Sequence, residues 1–145
     1  MQRTVAFLLA AALVAPASGA QSGTAFVVAV TVPVHIAVDA LDAPAQIELT
    51  AQDVARGYVD VAARYRVRHN DRSGFVPEIT ALDPVRSVAV RDQADGAVAD
   101  GEAVAIRRPG AAFVEDVALQ VRLVLDPATA PGAIALPLRV AATPI

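Results

Sequence analysis

Apolar and polar side chains alternate with a period of two along most of this chain. The alternation is longest near the N-terminus, where seven successive alternate positions hold large apolar residues. Alternation over four to eight residues predicts a β-strand with one buried face, and the many β-branched side chains favour a strand further. We therefore predict one long strand from Phe26 to Val38, with an apolar face formed by Phe26, Val28, Val30, Val32, Val34, Ile36 and Val38.

The same pattern occurs twice near the C-terminus. One run extends from Val117 to Leu125 and the other from Ile134 to Val140. Between them stands Pro131-Gly132, a pair suited to a type II turn because Pro presets φ and Gly tolerates a positive φ. The sequence therefore predicts that these two runs pair with each other as antiparallel strands.

Shorter apolar runs fill the middle of the chain, and turn residues separate them at intervals of roughly 8 to 15 positions, a spacing typical of a β-sandwich. Together with the long runs they give about seven or eight strands, so we predict an all-β fold, a single antiparallel β-sandwich. The shorter candidates are Ile47–Leu49, Tyr58–Val61, Tyr65–His69, Phe75–Ile79, Val88–Val90 and Val104–Ile106.

One segment has features of a helix. Thr50 is a possible N-cap, Asp53 stands three residues later, and Gly57 is a possible stop. The segment is too short to form an independent helix, so we interpret it as a turn or a bend between strands.

The first twenty residues have the organisation of a secretory signal peptide. Arg3 supplies a positive start, an apolar run extends from Val5 to Pro16, and Ser18-Gly19-Ala20 provides the small residues of a cleavage site. A membrane anchor is the alternative, but a bilayer span needs about 20 consecutive apolar residues, and this run is shorter. We expect residues 1–20 to be removed and residues 21–145 to form one domain in the periplasm, on the cell surface or outside a bacterial cell.

Composition excludes several classes of protein. The chain has no Cys, which rules out disulfides, thiol catalysis and Cys-ligated metals. Its formal net charge of −3 argues against a nucleic-acid-binding protein, which would carry a clustered basic face. Ser22, Ser73 and Ser87 do not stand in a Gly-x-Ser-x-Gly setting. We therefore predict a protein that is not an enzyme, with no cofactor.

Two weak metal-site patterns have ordinary alternatives. His35 and His69 are candidates to share a metal with a carboxylate, although surface histidines on strands are common. The acidic loop formed by Asp92, Asp95, Asp100 and Glu102 offers oxygens to Ca²⁺, but its spacing is not that of an EF-hand and a solvated hairpin loop explains it better. We predict no metal site from either pattern.

The positions of charged residues and of proline predict which strand faces and strand edges lie at the protein surface. Arg64, Arg66 and Arg68 form a stripe on one strand face, either solvated or facing an acidic partner. Pro33 and Pro137 interrupt the first and last long runs, and proline is confined to edges, bulges or strand starts because it cannot donate to a ladder. Each terminal strand is therefore predicted at a sheet edge, where another chain can add by main-chain pairing.

On these features the chain resembles the small exported immunoglobulin-like subunits of bacterial chaperone–usher fimbriae. The resemblance rests on the signal peptide, the alternating run Phe26–Val38, the strand rhythm, and Gly132 placed fourteenth from the end. The chain departs from those subunits in having no Cys and in carrying Pro144 as its penultimate residue. The resemblance implies an immunoglobulin-like sandwich joined to neighbours by strand addition, with no catalytic residues.

The leading hypothesis is thus a structural or accessory subunit of a surface fibre, whose partners are other fimbrial-type subunits or a periplasmic chaperone or usher. Its strand-addition segment is Phe26, Val28, Val30, Val32, Val34 and Ile36. That segment either completes its own domain or inserts into a neighbour. The alternative function is a stand-alone immunoglobulin-like binding module.

Overall fold

The computed structural model describes residues 5–9, 28–110 and 112–145. The chain divides into two compact units, Met1–Val34 and His35–Ile145. In the first unit, β1 (Val5–Leu9) pairs antiparallel with β2 (Val28–Val32), and Phe7 lies opposite Val30. These two strands form a sheet of their own.

The second unit holds the remaining elements. In chain order they are β3 (Ile36–Asp42), β4 (Gln46–Leu49), α1 (Ala51–Arg56), β5 (Tyr58–His69), β6 (Phe75–Ala81), β7 (Val85–Asp92), β8 (Val98–Gly101), β9 (Ala103–Ala105), β10 (Val114–Leu125), β11 (Gly132–Ala135) and β12 (Leu138–Pro144).

A five-stranded antiparallel sheet forms one layer, in the order β3-β5-β10-β7-β8. Its two long strands, β5 and β10, alternate between buried and less buried residues as the sequence predicts. Val121 lies opposite Val61 on one side and Val90 on the other, and all three side chains are buried. Side chains of alternate residues point to one face of a sheet, so one face of this sheet is almost continuously apolar.

Shorter strands cover that face. β12, β6 and β9 form a three-stranded sheet, while β11 and β4 form a pair. Phe75, Ile79 and Val104 from this layer are buried in the same cluster as Val121 and Leu123. The fold is therefore all-β and sandwich-like, and the predicted fold class is confirmed at that level.

The predicted turn at residues 50–57 is a short helix instead. Thr50 Oγ1 accepts a hydrogen bond from the Asp53 main-chain N–H, and the Asp53 carboxylate accepts one from the Thr50 N–H. This capping box begins the six-residue helix, and Gly57, in the left-handed conformation, ends it. Local hydrogen bonds thus stabilise a helix too short to form alone. No helix in the part of the chain described here is long and apolar enough to span a membrane.

The predicted pairing of the two C-terminal runs is wrong. β10 pairs with β5 and β7, and the second run pairs elsewhere, through β11 with β4 and through β12 with β6. The reason lies at Pro137, which has no N–H to donate and stands where the chain changes partner. Turn chemistry at Pro131-Gly132 fixes a local bend, but not the strand that follows it.

The predicted long N-terminal strand is likewise interrupted, at residues 33–35. Pro33 separates β2 from β3, and only β3 joins the large sheet, by pairing with β5. The two prolines therefore lie between strands and not within them. Their neighbours β3 and β12 are nevertheless edge strands of their sheets, as the sequence predicted.

Candidate functional site

The valines of β2 are exposed. Val28, Val30 and Val32 have 62%, 54% and 49% of their surface accessible. By contrast, Ile36 and Val38 of β3 pack against the core of the second unit. The structure thus separates the six predicted strand-addition residues. Three lie on β2, Val34 lies between the strands, Ile36 belongs to β3, and Phe26 lies outside the described residues.

The inward side chains of the edge strands are only partly covered. Leu138, Val140 and Ala142 of β12 pack against the core but are not fully buried, and the same holds for Ile36 and Val38 of β3, the strand beside it. Most of the equivalent positions of β5, β7 and β10 are buried. We call the side of the sandwich formed by β3 and β12 its margin.

The hydrogen-bonding direction of β12 follows from its end. The Ile145 N–H donates to the Gly74 carbonyl at 3.3 Å, on the β6 side. Main-chain N–H groups along a strand point alternately to its two neighbours. The N–H groups of Leu138, Val140 and Ala142 therefore point away from β6, outward from the other edge of β12.

The arginine stripe is paired within its own sheet. Arg66 Nε donates to Asp116 Oδ1 at 2.8 Å, and Arg68 Nη2 donates to Asp39 Oδ2 at 2.7 Å. Arg64 lies 3.8 Å from the same Asp116 carboxylate. The Arg66 hydrogen bond holds the pKa of Asp116 below its ordinary value. These contacts favour the solvated-face interpretation over an acidic partner.

Neither metal-site pattern is assembled. Among the described residues, no group of three or more His, Cys, Asp or Glu side chains is placed to hold a metal. His35 is exposed and His69 is buried. In the acidic loop, Asp92 points inward while Asp95 accepts a hydrogen bond from the Ala97 N–H at 2.8 Å.

A buried polar cluster lies at one end of the sandwich. Asp92 is fully buried and accepts a bidentate hydrogen bond from Arg108, with Nε to Oδ2 at 2.8 Å. Arg108 Nη1 also lies 3.9 Å from Glu115 Oε2, and Glu115 Oε1 lies 4.0 Å from His69 Nε2. We call these four residues the polar cluster.

Sequence reasoning missed this cluster, although a signal for it exists. On β7, Asp92 is the next alternate residue after the inward-facing Val88 and Val90. On β5, His69 likewise follows the inward-facing residues at alternate positions. Glu115 stands two residues before Val117 on β10. Polar residues in an inward phase need partners, because an unpaired buried charge is costly.

His69 has one satisfied ring nitrogen. Its Nδ1 lies 2.8 Å from the Asp71 carbonyl oxygen, which only accepts, so Nδ1 carries the hydrogen. Its Nε2 is buried without a hydrogen-bond partner. The ring packs against Phe75 and Phe113, with centroid distances of 5.0 and 6.4 Å.

Two loops touch main chain to main chain beside His69. A Cβ added to Gly74 would lie 2.1 Å from the Arg108 carbonyl oxygen, and one added to Gly110 would lie 2.7 Å from the Arg72 carbonyl oxygen. We call this contact the glycine contact. Next to it is an open recess of about 440 Å³, lined by His69, Asp71, Arg72, Gly110, Ala112 and Phe113.

Comparison with known proteins adds no relative. No family model, no curated protein and no solved structure matches the chain. Function is therefore inferred from the chemistry and geometry of the residues described above.

Proposed function

We propose that the protein is an exported, non-enzymatic subunit of a surface fibre, joined to its neighbours by addition of its N-terminal strand. The observation that carries the proposal is the contrast within the predicted strand-addition segment. Val28, Val30 and Val32 are exposed on β2, whereas Ile36 and Val38 already pack against the core of the second unit. The side chains of Val28, Val30 and Val32 are thus exposed to a partner, and those of Ile36 and Val38 are not.

Export sharpens this contrast. Strand β2 pairs with β1, which lies within the predicted signal peptide. Cleavage after Ala20 removes β1, and the main-chain donors and acceptors of β2 then lose the partner strand with which they pair. An unpaired strand with alternate valines is a template for pairing with another chain. Processing in this proposal converts a hairpin strand into a donor strand.

The acceptor in this proposal is the outer edge of β12. The N–H groups of Leu138, Val140 and Ala142 point along that edge, and their side chains are only partly buried. A strand added there would accept hydrogen bonds from these N–H groups and cover the apolar margin. The three valines of β2 offer a matching apolar face, since alternate residues of an added strand point to one side.

The experiment compares two forms of the purified protein. Residues 21–145 are expected to form oligomers that lengthen with concentration, measured by analytical ultracentrifugation. Residues 35–145 are expected to stay folded and monomeric, because β3 and the core remain. A peptide of residues 26–34 should bind this shorter form, and the same peptide with Val30→Arg should not.

Ala142→Pro tests the acceptor edge. The substitution removes an N–H that points away from β6, so the pairing of β12 with β6 is retained. We expect a folded protein that no longer forms oligomers, while Ala142→Ser assembles normally. Oligomers that survive Ala142→Pro would place the acceptor elsewhere. A residue 21–145 form that is monomeric at every concentration would overturn the proposal.

A stand-alone binding module is the second candidate. It is favoured by the recess beside His69, where Phe113 is 55% exposed. Aromatic side chains on loops often contribute contact area to a ligand. Three results together would support this function over the first. Residues 21–145 would be monomeric, would bind a component of a host extract, and would lose that binding in the Phe113→Ser variant.

A further inference from the structure

We propose that successive copies of the chain meet head to tail, with Phe113 at one end of the sandwich facing Leu82 at the opposite end of the next copy. The inference rests on the proposed function, since it concerns copies that are joined by strand addition. The partner of both side chains is thus a second copy of this chain.

One end of the sandwich is where the N-terminal segment joins it. Ile36, the first residue of β3, pairs with His69 at the end of β5, and the His69 N–H donates to the Phe113 carbonyl oxygen at 2.9 Å. Pro144, the last residue of β12, pairs with Phe75, whose ring contacts His69. We call this end the exit end, and it includes the loops 70–74 and 108–113.

The opposite end lies beside the start of β12. The Leu82 N–H donates to the Pro137 carbonyl oxygen, and the Asp126 N–H donates to the Pro84 carbonyl oxygen, both at 2.9 Å. We call this end, formed by residues 82–84 and 126–131, the entry end. Strand β12 therefore runs from the entry end to the exit end.

The direction of the added strand decides which ends meet. A strand that ran parallel to β12 would finish at the exit end of the acceptor, where the acceptor's own N-terminal segment joins. Two copies would then share one end and close on each other as a pair. A strand antiparallel to β12 finishes at the entry end and leaves the exit end to a further copy, which is the head-to-tail arrangement of an open filament.

The tether between the added strand and its own sandwich is short. With the valines of β2 beside β12, only residues 33–35 connect that strand to Ile36. Three residues span about 10 Å when fully extended. The exit end of one copy is therefore held close to the entry end of the copy that receives its strand.

Each of these ends carries an exposed apolar side chain. Phe113 at the exit end is 55% exposed, and Leu82 at the entry end is 44% exposed. The main chain of Phe113 is fixed by its hydrogen bond to His69, and that of Leu82 by its hydrogen bond to Pro137. Contact between the two ends removes both side chains from water, which is favourable for apolar surface.

The charges beside the two side chains are complementary. Arg72 is exposed and lines the same recess as Phe113, where the Asp71 carboxylate accepts a hydrogen bond from the Ser73 N–H at 2.8 Å. A recess of about 420 Å³ at the entry end holds more carboxylates than guanidinium groups among its described lining residues. Its charged residues are Asp83, Arg86, Glu102 and Asp126. A guanidinium facing this recess favours contact between unlike ends over contact between two exit ends.

Cross-linking tests the contact directly, because the chain has no Cys. Phe113→Cys and Leu82→Cys are made separately in residues 21–145, with tags of different size, and the two proteins are mixed with a short bis-maleimide cross-linker. We expect mixed dimers on a denaturing gel and few dimers of either variant with itself. Val98→Cys, at a 63% exposed position on the edge strand β8, is the control and should not link to Phe113→Cys.

A charge reversal tests the same contact by a second measurement. Arg72→Glu should raise several-fold the concentration at which half of the chains assemble, measured by analytical ultracentrifugation. Arg91→Glu makes the same charge change at an exposed position on the outer face of β7 and should leave that concentration unchanged.

The two measurements distinguish two failures. Residues 21–145 that are monomeric at every concentration would overturn the proposed function and this contact together. Oligomers in which Phe113→Cys does not link preferentially to Leu82→Cys, or in which the two arginine variants assemble equally, would overturn the head-to-tail contact alone.

Discussion

The centre of the sandwich and its margin are built from the same kind of alternating strand, yet they differ in what surrounds them. Strand β10 lies between β5 and β7, and its inward residues Val117 to Leu125 are buried. Strand β12 has β6 on one side, and its inward residues are only partly buried. The inward side chains of β12 are therefore less buried than those of β10, although both strands follow the same alternating pattern.

The largest expected effect lies in the centre, at the Arg108–Asp92 pair. Arg108→Ala leaves the fully buried Asp92 carboxylate without its cation. Breaking a buried pair by removing one partner costs about 3–5 kcal/mol, and we expect a loss of that size in urea unfolding. Arg107→Ala, at the exposed neighbouring position, is the control and should change little. Equal stability of the two variants would show that the pair is solvated.

Two leucine substitutions compare the regions directly. Leu123→Ala, in the centre, removes a fully buried side chain and should cost about 2–5 kcal/mol. Leu138→Ala, at the margin, should cost less, about 1–2 kcal/mol, because its side chain is already partly hydrated. The same urea titration measures both. If Leu138→Ala lowers the free energy of unfolding as much as Leu123→Ala does, the margin is as well packed as the centre.

The smallest effect is expected on the outer face. Arg66 and Arg122 lower the pKa values of Asp116 and Asp60 through hydrogen bonds. Carboxylates with lowered pKa values stabilise the fold above about pH 4, near their ordinary value, and lose that contribution as pH falls. Asp116→Asn should therefore flatten the decline in melting temperature between pH 5 and pH 2.5, slightly and less so in high salt. Asp100→Asn is the exposed control, and an equal flattening there would contradict the assignment to Asp116.

Strand positions were predictable from the sequence because their signal is local. Burial on one face imposes a period of two, and β6, β7 and β10 occur at predicted runs. The two short strands predicted at Tyr58–Val61 and Tyr65–His69 form one continuous strand, β5. Strand partners were not predictable in the same way. Val117–Leu125 and Ile134–Val140 have compatible patterns, but the pairing that forms depends on distant strands and on a proline that interrupts the second run.

The candidate site was predictable in part for the same reason. Exposure of Val28, Val30 and Val32 could not be read from their spacing, since Ile36 and Val38 have the same spacing and pack against the core. The polar cluster joins residues from three strands and a loop, and only the inward phase of Asp92 and His69 hinted at it. Sequence patterns identify which face a residue occupies, and tertiary pairing determines what it meets there.

The glycine contact has a consequence for how this sequence can change. A methyl group added at Gly74 or at Gly110 would meet a main-chain carbonyl oxygen of the opposite loop, at 2.1 and 2.7 Å from the added carbon. A single exchange at either position must move a loop, and with it Arg108 or the residues that follow β5. A substitution at only one of these two sites is therefore disfavoured. We expect other residues at these sites only in sequences in which both loops have changed length or conformation together.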